Sequence, residues 1–365
     1  MLNILNKFLS KSFSKLAPNA TITNQMIAHV VQTAAMAQDF LENTTKKQGN
    51  KPNADIIFKR IKESDIETLK TSFLYILRFM IKNVKQKFNL RRWTAAIDTH
   101  YEPFYGESTN EWIHRYKPDK GCKGSYKFIT ISIVISDMKF TLLALPVMRG
   151  EYTENLVEEL INEARNNLKI NLVLLDRGFY SGNIAERLKS LKVKYIIFAP
   201  KNKKNKKFLK ETSEFSSRFL NHELPTYEIK NPGKVKIKLL IIKDFVDWTN
   251  LVIYDWIFCT NLSNLKALSY VKLYKKRWGI ETTYRMFGKL RIITTSINPV
   301  VRYFLFLITV LIYNLWKFFN ILTKSGITFL TFIYILFLNN FNMDHVIACK
   351  KYMEKINKKF IRLTE

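Results

Sequence analysis

Apolar positions in the first quarter of the chain recur at helical spacing. Residues 22–90 read as helices: one over 24–41, a polar break with Gly49 and Pro52 over 44–53, a short helix over 54–61, and a longer one from Ser64. In that last helix Ile66, Leu69, Phe73, Leu77, Met80 and Val84 share one face, so that face is buried. The stretch Ser64-Asp65-Ile66-Glu67 matches a capping box, which starts the helix at Ser64. Short helix, tight break and longer helix suit a reader of DNA ends, and equally a plain helical packing module.

From Arg92 the pattern turns to strands. Residues 93–99, 126–136 and 140–147 are β-rich, and the connection 136–139 suits a hairpin. An amphipathic helix follows over 154–168, then a short apolar strand over 171–175 that ends in Asp176. A helix over 181–191 and a buried strand over 195–199 complete the series. The order βββ-α-β-α-β is that of a ribonuclease-H-like α/β core, a mixed sheet flanked by helices. Residues 201–262 interrupt it as a β-rich insertion that opens with a basic loop, KNKKNKKFLK. Helical pattern returns over 264–291, and apolar helices close the chain. The expected organisation is a helical DNA-binding region (1–90), the first part of the core (91–200), the insertion (201–262), the rest of the core (263–322) and a C-terminal helical region (323–365).

Charge adds a partner to this picture. Lys and Arg number 59 against 30 Asp and Glu, a net charge of +29 over 365 residues, which points to a polyanion such as nucleic acid or an anionic membrane. The apolar runs near the C-terminus, 303–316 and 327–338, fall short of the roughly 20 residues a spanning helix needs and suit buried core helices. No membrane association is expected. Cys122, Cys259 and Cys349 are odd in number and far apart, which excludes a disulfide framework and fits a reducing, cytoplasmic location. The five histidines show no metal-ligand spacing; only His100 and His114 flank a candidate site.

That site is acidic. Asp98 ends the first strand and Asp176 ends the strand after the first long helix; in this topology the two strands are neighbours, so both carboxylates emerge at one edge. Glu281 lies on the helix after the insertion, which can pack against that edge. Three converging carboxylates repel unless a cation neutralises them, and oxygen-only ligands suit Mg²⁺ or Mn²⁺, two ions of which serve in-line phosphoryl transfer. On a regular helix at about 100° per residue, Tyr274, Arg277, Glu281 and Arg285 fall within a face about 80° wide. One stripe thus joins an acid to two guanidinium groups and a phenol, and an arginine fork matches phosphate geometry.

The segment YKKRWGIETTYRMFGK (274–289) resembles the Y-x2-R-x3-E-x6-K signature of bacterial and archaeal insertion-sequence transposases of the DDE type. The likeness extends to DRGFYS (176–181), to IDTHYEPFYG (97–106) and to the closing helix VRYFLFLITVLIYNLW (301–316), about residues 92–320 in all. The resemblance implies Asp98, Asp176 and Glu281 as metal ligands, and Tyr274 and Arg277 as contacts to the transposon-end strand. The signature lysine falls at Gly288, with Lys289 next to it, so Lys289 or Arg285 would have to substitute. The Lys201–Lys210 run suits a phosphate-tracking loop and equally a solvated one, Trp248 is expected to wedge at an extruded base or pack a turn, and Trp278 to anchor the glutamate helix.

The leading expectation is a cut-and-paste DNA transposase that binds its terminal inverted repeats and target DNA as a homodimer. The alternatives are a ribonuclease-H-like nuclease or domesticated derivative that cleaves without integrating, and a non-enzymatic basic DNA-binding protein.

Overall fold

A computed structural model describes residues 2–14, 21–49, 52–89, 91–107, 110–135, 138–227, 233–247, 251–263 and 265–340. Five helices come first: α1 (Leu2–Ser12), α2 (Asn24–Ala37), α3 (Leu41–Gln48), α4 (Ala54–Lys62) and α5 (Ile66–Phe88). The polar stretch read as a break is largely α3, because Leu41 and Thr44 give that helix a buried side. Helix α5 starts one residue later than expected. Asp65, not Ser64, is its cap and accepts the Thr68 N–H at 2.7 Å, a carboxylate serving the helix N-terminus better than a hydroxyl.

The strands β1 (Trp93–Phe104), β2 (Ile113–His114), β3 (Gly124–Ile135) and β4 (Met138–Val147) precede α6 (Thr153–Arg165). Then come β5 (Ile170–Leu175), α7 (Gly182–Ser190) and β6 (Lys194–Phe198). Strand β1 lies between antiparallel β3 and parallel β5, and β5 pairs in parallel with β6. This mixed sheet, flanked by helices, is the ribonuclease-H-like arrangement.

The basic run at 201–210 is a helix, α8 (Lys203–Lys210), not a loop. Asn202 caps it, while Asn205 and Leu209 bury one side and the lysines stay outside. Strands β7 (Ser217–Thr226), β8 (Gly233–Asp247) and β9 (Val252–Thr260) follow, and β9 pairs with β6. The insertion strands therefore continue the core sheet instead of forming a separate one, in the order β2-β3-β1-β5-β6-β9-β8-β7 with β4 on β3. At the junction, a Cβ on Gly182 would meet the Pro225 carbonyl oxygen at 2.1 Å, so only glycine lets α7 approach β7 this closely.

Three helical segments replace the single helix expected over 264–291: α9 (Ala267–Lys275), a 3-10 turn (Lys276–Trp278) and α10 (Gly279–Gly288). Helix α11 (Pro299–Thr323), capped by Asn298, is apolar all round, and α12 (Phe329–Asn340) follows. A helix with that composition is either a core helix or a membrane span. Here 72% of its most apolar window is buried, against α2, α4, α5, α10 and β4. Asn314 bridges it to the sheet through the Thr141 N–H (3.0 Å) and C=O (2.7 Å), and Phe8 and Phe13 stack on Phe304. Of the expected connection 136–139, residues 138–139 belong to β4, while 136–137, like Trp248 and residues 341–365, lie outside the described residues.

Candidate active site

The alternation of β1 decides where its carboxylates go. Ala95 and Ile97 enter one apolar cluster with Val173 and Leu175, whereas Ala96 joins Leu172 and Leu174 on the face covered by Tyr270, Tyr274 and Ile280. Asp98 belongs to this second face. It is not the end of its strand, as expected, because β3 keeps pairing with β1 as far as Phe104. It is instead the first residue beyond the parallel ladder with β5, which closes at Ile97–Leu175. Asp176 is likewise the first residue after β5 and leads into a 3-10 turn (Arg177–Phe179) without spending its carboxylate on a cap.

Arg277 ties the acids together. Its Nη1 donates to Asp98 Oδ2 at 2.6 Å, and its Nη2 stands 3.4 Å from Glu281 Oε1 and 3.6 Å from Asp176 Oδ1. Its Nε donates to the Tyr274 hydroxyl at 3.1 Å, and that hydroxyl donates to Asp176 Oδ1 at 3.3 Å. A 3-10 turn (Lys276–Trp278) carries Arg277 between α9 and α10. Exposure grades outward through the site: the side chains of Arg277, Asp98, Asp176 and Glu281 are 5, 12, 34 and 61% accessible.

Burial raises Asp98 to about 6, with the Arg277 charge and the Thr99 N–H pulling down and Asp176 and Glu281 adding to the rise. Burial also works against the charge of Arg277, but Tyr274, Asp98 and Asp176 outweigh it and hold its pKa above the ordinary arginine value. Burial raises the Tyr274 hydroxyl well above the usual phenol, so it stays a neutral donor.

The aromatic setting comes from the insertion. Tyr274 packs on Phe198, Trp256 and Phe258, and Trp256 stacks on Trp278 with ring centroids 5.9 Å apart. Phe198, Trp256, Tyr274 and Trp278 wall a cleft of about 340 Å³ that also meets Asp176, Arg177 and Glu281. Trp256 was missed from the sequence, although Tyr254, Trp256 and Phe258 alternate as one face of a strand. Tyr284 was missed too; its hydroxyl, buried beneath Asp98, shares a hydrogen bond with Thr130 (2.8 Å).

The structure thus brings together Asp98, Asp176, Glu281, Tyr274 and Arg277. Arg285 and Lys289 are exposed on the outer side of α10, and Gly288 ends that helix with open space where a side chain would stand. The two flanking histidines stand apart from the acids: His100 is buried against Phe306, and His114 bonds the Val147 carbonyl.

A mixed sheet of ribonuclease-H-like order, with acidic residues just past two neighbouring parallel strands, defines the class of protein. Residues 85–315 match the family described as "Transposase DDE domain", and the chain belongs to that family. A search of curated proteins finds no match. Family membership makes this a DNA-acting transposase enzyme.

Proposed function

We propose that the chain carries out cut-and-paste transposition of an insertion sequence, cleaving the element's ends and joining them to target DNA. The observation that supports this reading most is the gathering of Asp98, Asp176 and Glu281, from two strands and a distant helix, around one buried guanidinium. Among the described residues no three His, Cys, Asp or Glu side chains already stand close enough to hold a cation. The donor set is nevertheless all oxygen, and the three acids already share one positive charge, so they fit a hard divalent ion. Asp98, Asp176 and Glu281 would hold Mg²⁺ or Mn²⁺, as two ions. When bound, these activate the attacking oxygen and stabilise the leaving one.

The chain's own groups do the rest. Asp98 within β1 and Asp176 directly after β5 are held by the sheet, which keeps the acids in register with the scissile phosphate. Arg277 and Tyr274 pass from the carboxylates to a phosphate of the transposon-end strand, for which the guanidinium fork is suited. Arg285 and Lys289, on the open side of α10, contact the same duplex, with Lys289 serving for the signature lysine of the bacterial and archaeal Y-R-E-K group. The N-terminal helices read the terminal repeat, and two copies synapse the two ends. The chain works in the cytoplasm, on nucleoid DNA.

The test uses the purified chain, Mg²⁺ and labelled duplexes carrying the inverted repeats that flank its coding sequence. Asp98→Asn, Asp176→Asn and Glu281→Gln should each abolish end cleavage while leaving duplex binding in place. End cleavage that survives Asp98→Ala defeats the site assignment. Cleavage without joining to a target plasmid favours a nuclease that does not integrate.

A further inference from the structure

The end of the sheet opposite the carboxylates carries a second concentration of charge. There the last turn of α5, the α6–β5 connection and the α7–β6 connection line a concave surface of about 660 Å³. Its lining includes Lys85, Arg165, Lys169, Lys192 and Lys194 with three asparagines, and no carboxylate.

Two of these cations have a structural role. Lys85 Nζ donates to the Asn167 carbonyl at 3.2 Å, and Arg165 Nη1 donates to the Leu191 carbonyl at 2.8 Å, as cations near helix C-termini do. Of the other three, Lys192 directly follows the α7 C-cap, Leu191, while Lys169 precedes β5 and Lys194 begins β6. Lys169, Lys192 and Lys194 are exposed, and among the described residues none forms an ion pair with an acid. Exposed Arg91 and Arg92 enter β1 at the same end, where the Trp93 N–H donates to the Lys169 carbonyl at 3.0 Å. Lys169 in the α6–β5 connection, Lys192 in the α7–β6 connection and Lys194 at the start of β6 line the same concave surface.

We propose that this surface binds the phosphate backbone of double-stranded DNA, independently of sequence and at a place separate from the carboxylates. Strand β5 spans the two ends: its six residues, Ile170–Leu175, cover about 20 Å, the width of a duplex, so DNA crossing one end of the strands does not reach the other. The inference deepens the reading of the chain as a DNA-acting protein, yet it stands on binding and needs no cleavage.

The experiment is fluorescence anisotropy with a random-sequence duplex of about 40 base pairs at salt from about 50 to 300 mM, comparing the full chain with a Lys169→Gln, Lys192→Asn, Lys194→Gln triple variant. Asparagine at 192 suits the positive φ of 50° there. The expected result is binding weakened about tenfold or more at low salt, with the log–log salt slope flattened by about two to three, roughly one for each phosphate left unneutralised. Cleavage of a short end duplex should stay at the wild-type rate. A charge-matched control, Lys117→Gln, Lys120→Gln and Lys123→Gln together, should keep the wild-type slope. An unchanged slope in the triple variant, or equal flattening in the control, overturns the proposal. If the triple variant melts early, Lys192→Asn and Lys194→Gln singly carry the test, each flattening the slope by about one. Wild-type protein that fails to bind the duplex at all overturns the DNA reading itself, a different result from an indifferent variant.

Discussion

Replacing Arg277 by methionine should destabilise the protein by an amount that depends steeply on pH. The guanidinium is 5% accessible and its tightest partner, Asp98, 12%, so the pair is buried, and removing one member leaves an uncompensated charge. Breaking such a pair costs about 3–5 kcal/mol. Asp98 can escape that cost by taking a proton. Its pKa is already about 6 with Arg277 present, and Arg277 is the largest influence pulling it down, so in the variant it rises further. The unfolded carboxylate ionises near 3.8. Between these values the folded variant binds a proton that the unfolded chain does not, so its stability falls as pH rises. Near pH 5 Asp98 is largely neutral in both proteins, and the loss reduces to the remaining hydrogen bonds, about 1–2 kcal/mol. Near pH 8.5 the loss should approach the full 3–5 kcal/mol. Urea unfolding at both pH values, without divalent ions, measures the difference directly. Adding Mg²⁺ should raise the melting temperature of the variant more than that of the wild type, because a competing cation has gone. A loss below about 1 kcal/mol throughout, or one that does not change with pH, would refute the view that Arg277 neutralises the acids.

Other outcomes can be stated more briefly. Glu102 is buried and pushed up to about 7 from 4.5, against the pull of Arg302 and Arg291. A raised carboxylate pKa costs stability as pH climbs from 4.5 to 7, about 3 kcal/mol in all. The melting temperature of Glu102→Gln relative to wild type should therefore be higher at pH 8 than at pH 5, and an equal difference at both would sink the assignment. Asn314→Leu strands the Thr141 N–H and C=O inside the protein and should cost about 2–4 kcal/mol in urea unfolding; near-neutrality would mean that another group or water takes over. Gly288→Lys has open space, and it exchanges a poor helix former for a cation at a helix C-terminus. It should gain a few tenths to about 1 kcal/mol and increase end cleavage; unchanged cleavage would place the lysine role elsewhere.

Local patterns determined a good deal of this protein. Alternation and short apolar runs marked the core strands, and their order with the intervening helices sufficed for the sheet topology, because right-handed crossovers leave few ways to arrange a βββ-α-β-α-β chain. The positions of Asp98 and Asp176 were legible for the same reason: each follows a short apolar run, and the parallel ladder between the two runs closes just before both. The spacing of Tyr274, Arg277 and Glu281 was equally plain. Their contacts across the fold were not, because Arg277 reaches Asp98 and Asp176 only once its segment packs against the sheet. The length of β1 past Asp98 depended on how far β3 reached beside it. Helix α3 formed because its neighbours gave Leu41 and Thr44 a buried side, against a polar sequence.

Tertiary structure alone decided the rest. Only the pairing of β9 with β6 made the insertion part of the core sheet and set Trp256 against Tyr274 and Trp278. The length of α11, 25 residues against an apolar run of 303–316, and its burial among four helices and β4 came from the folded chain. The lysines at 169 and 192 lie in two separate connections, Lys194 begins β6, and together they carry no pattern; the sheet brings them to one end. Sequence records which residues alternate, cap or break, since those are local energies. Which charges meet is a matter of contacts between distant segments, and only the folded chain sets them.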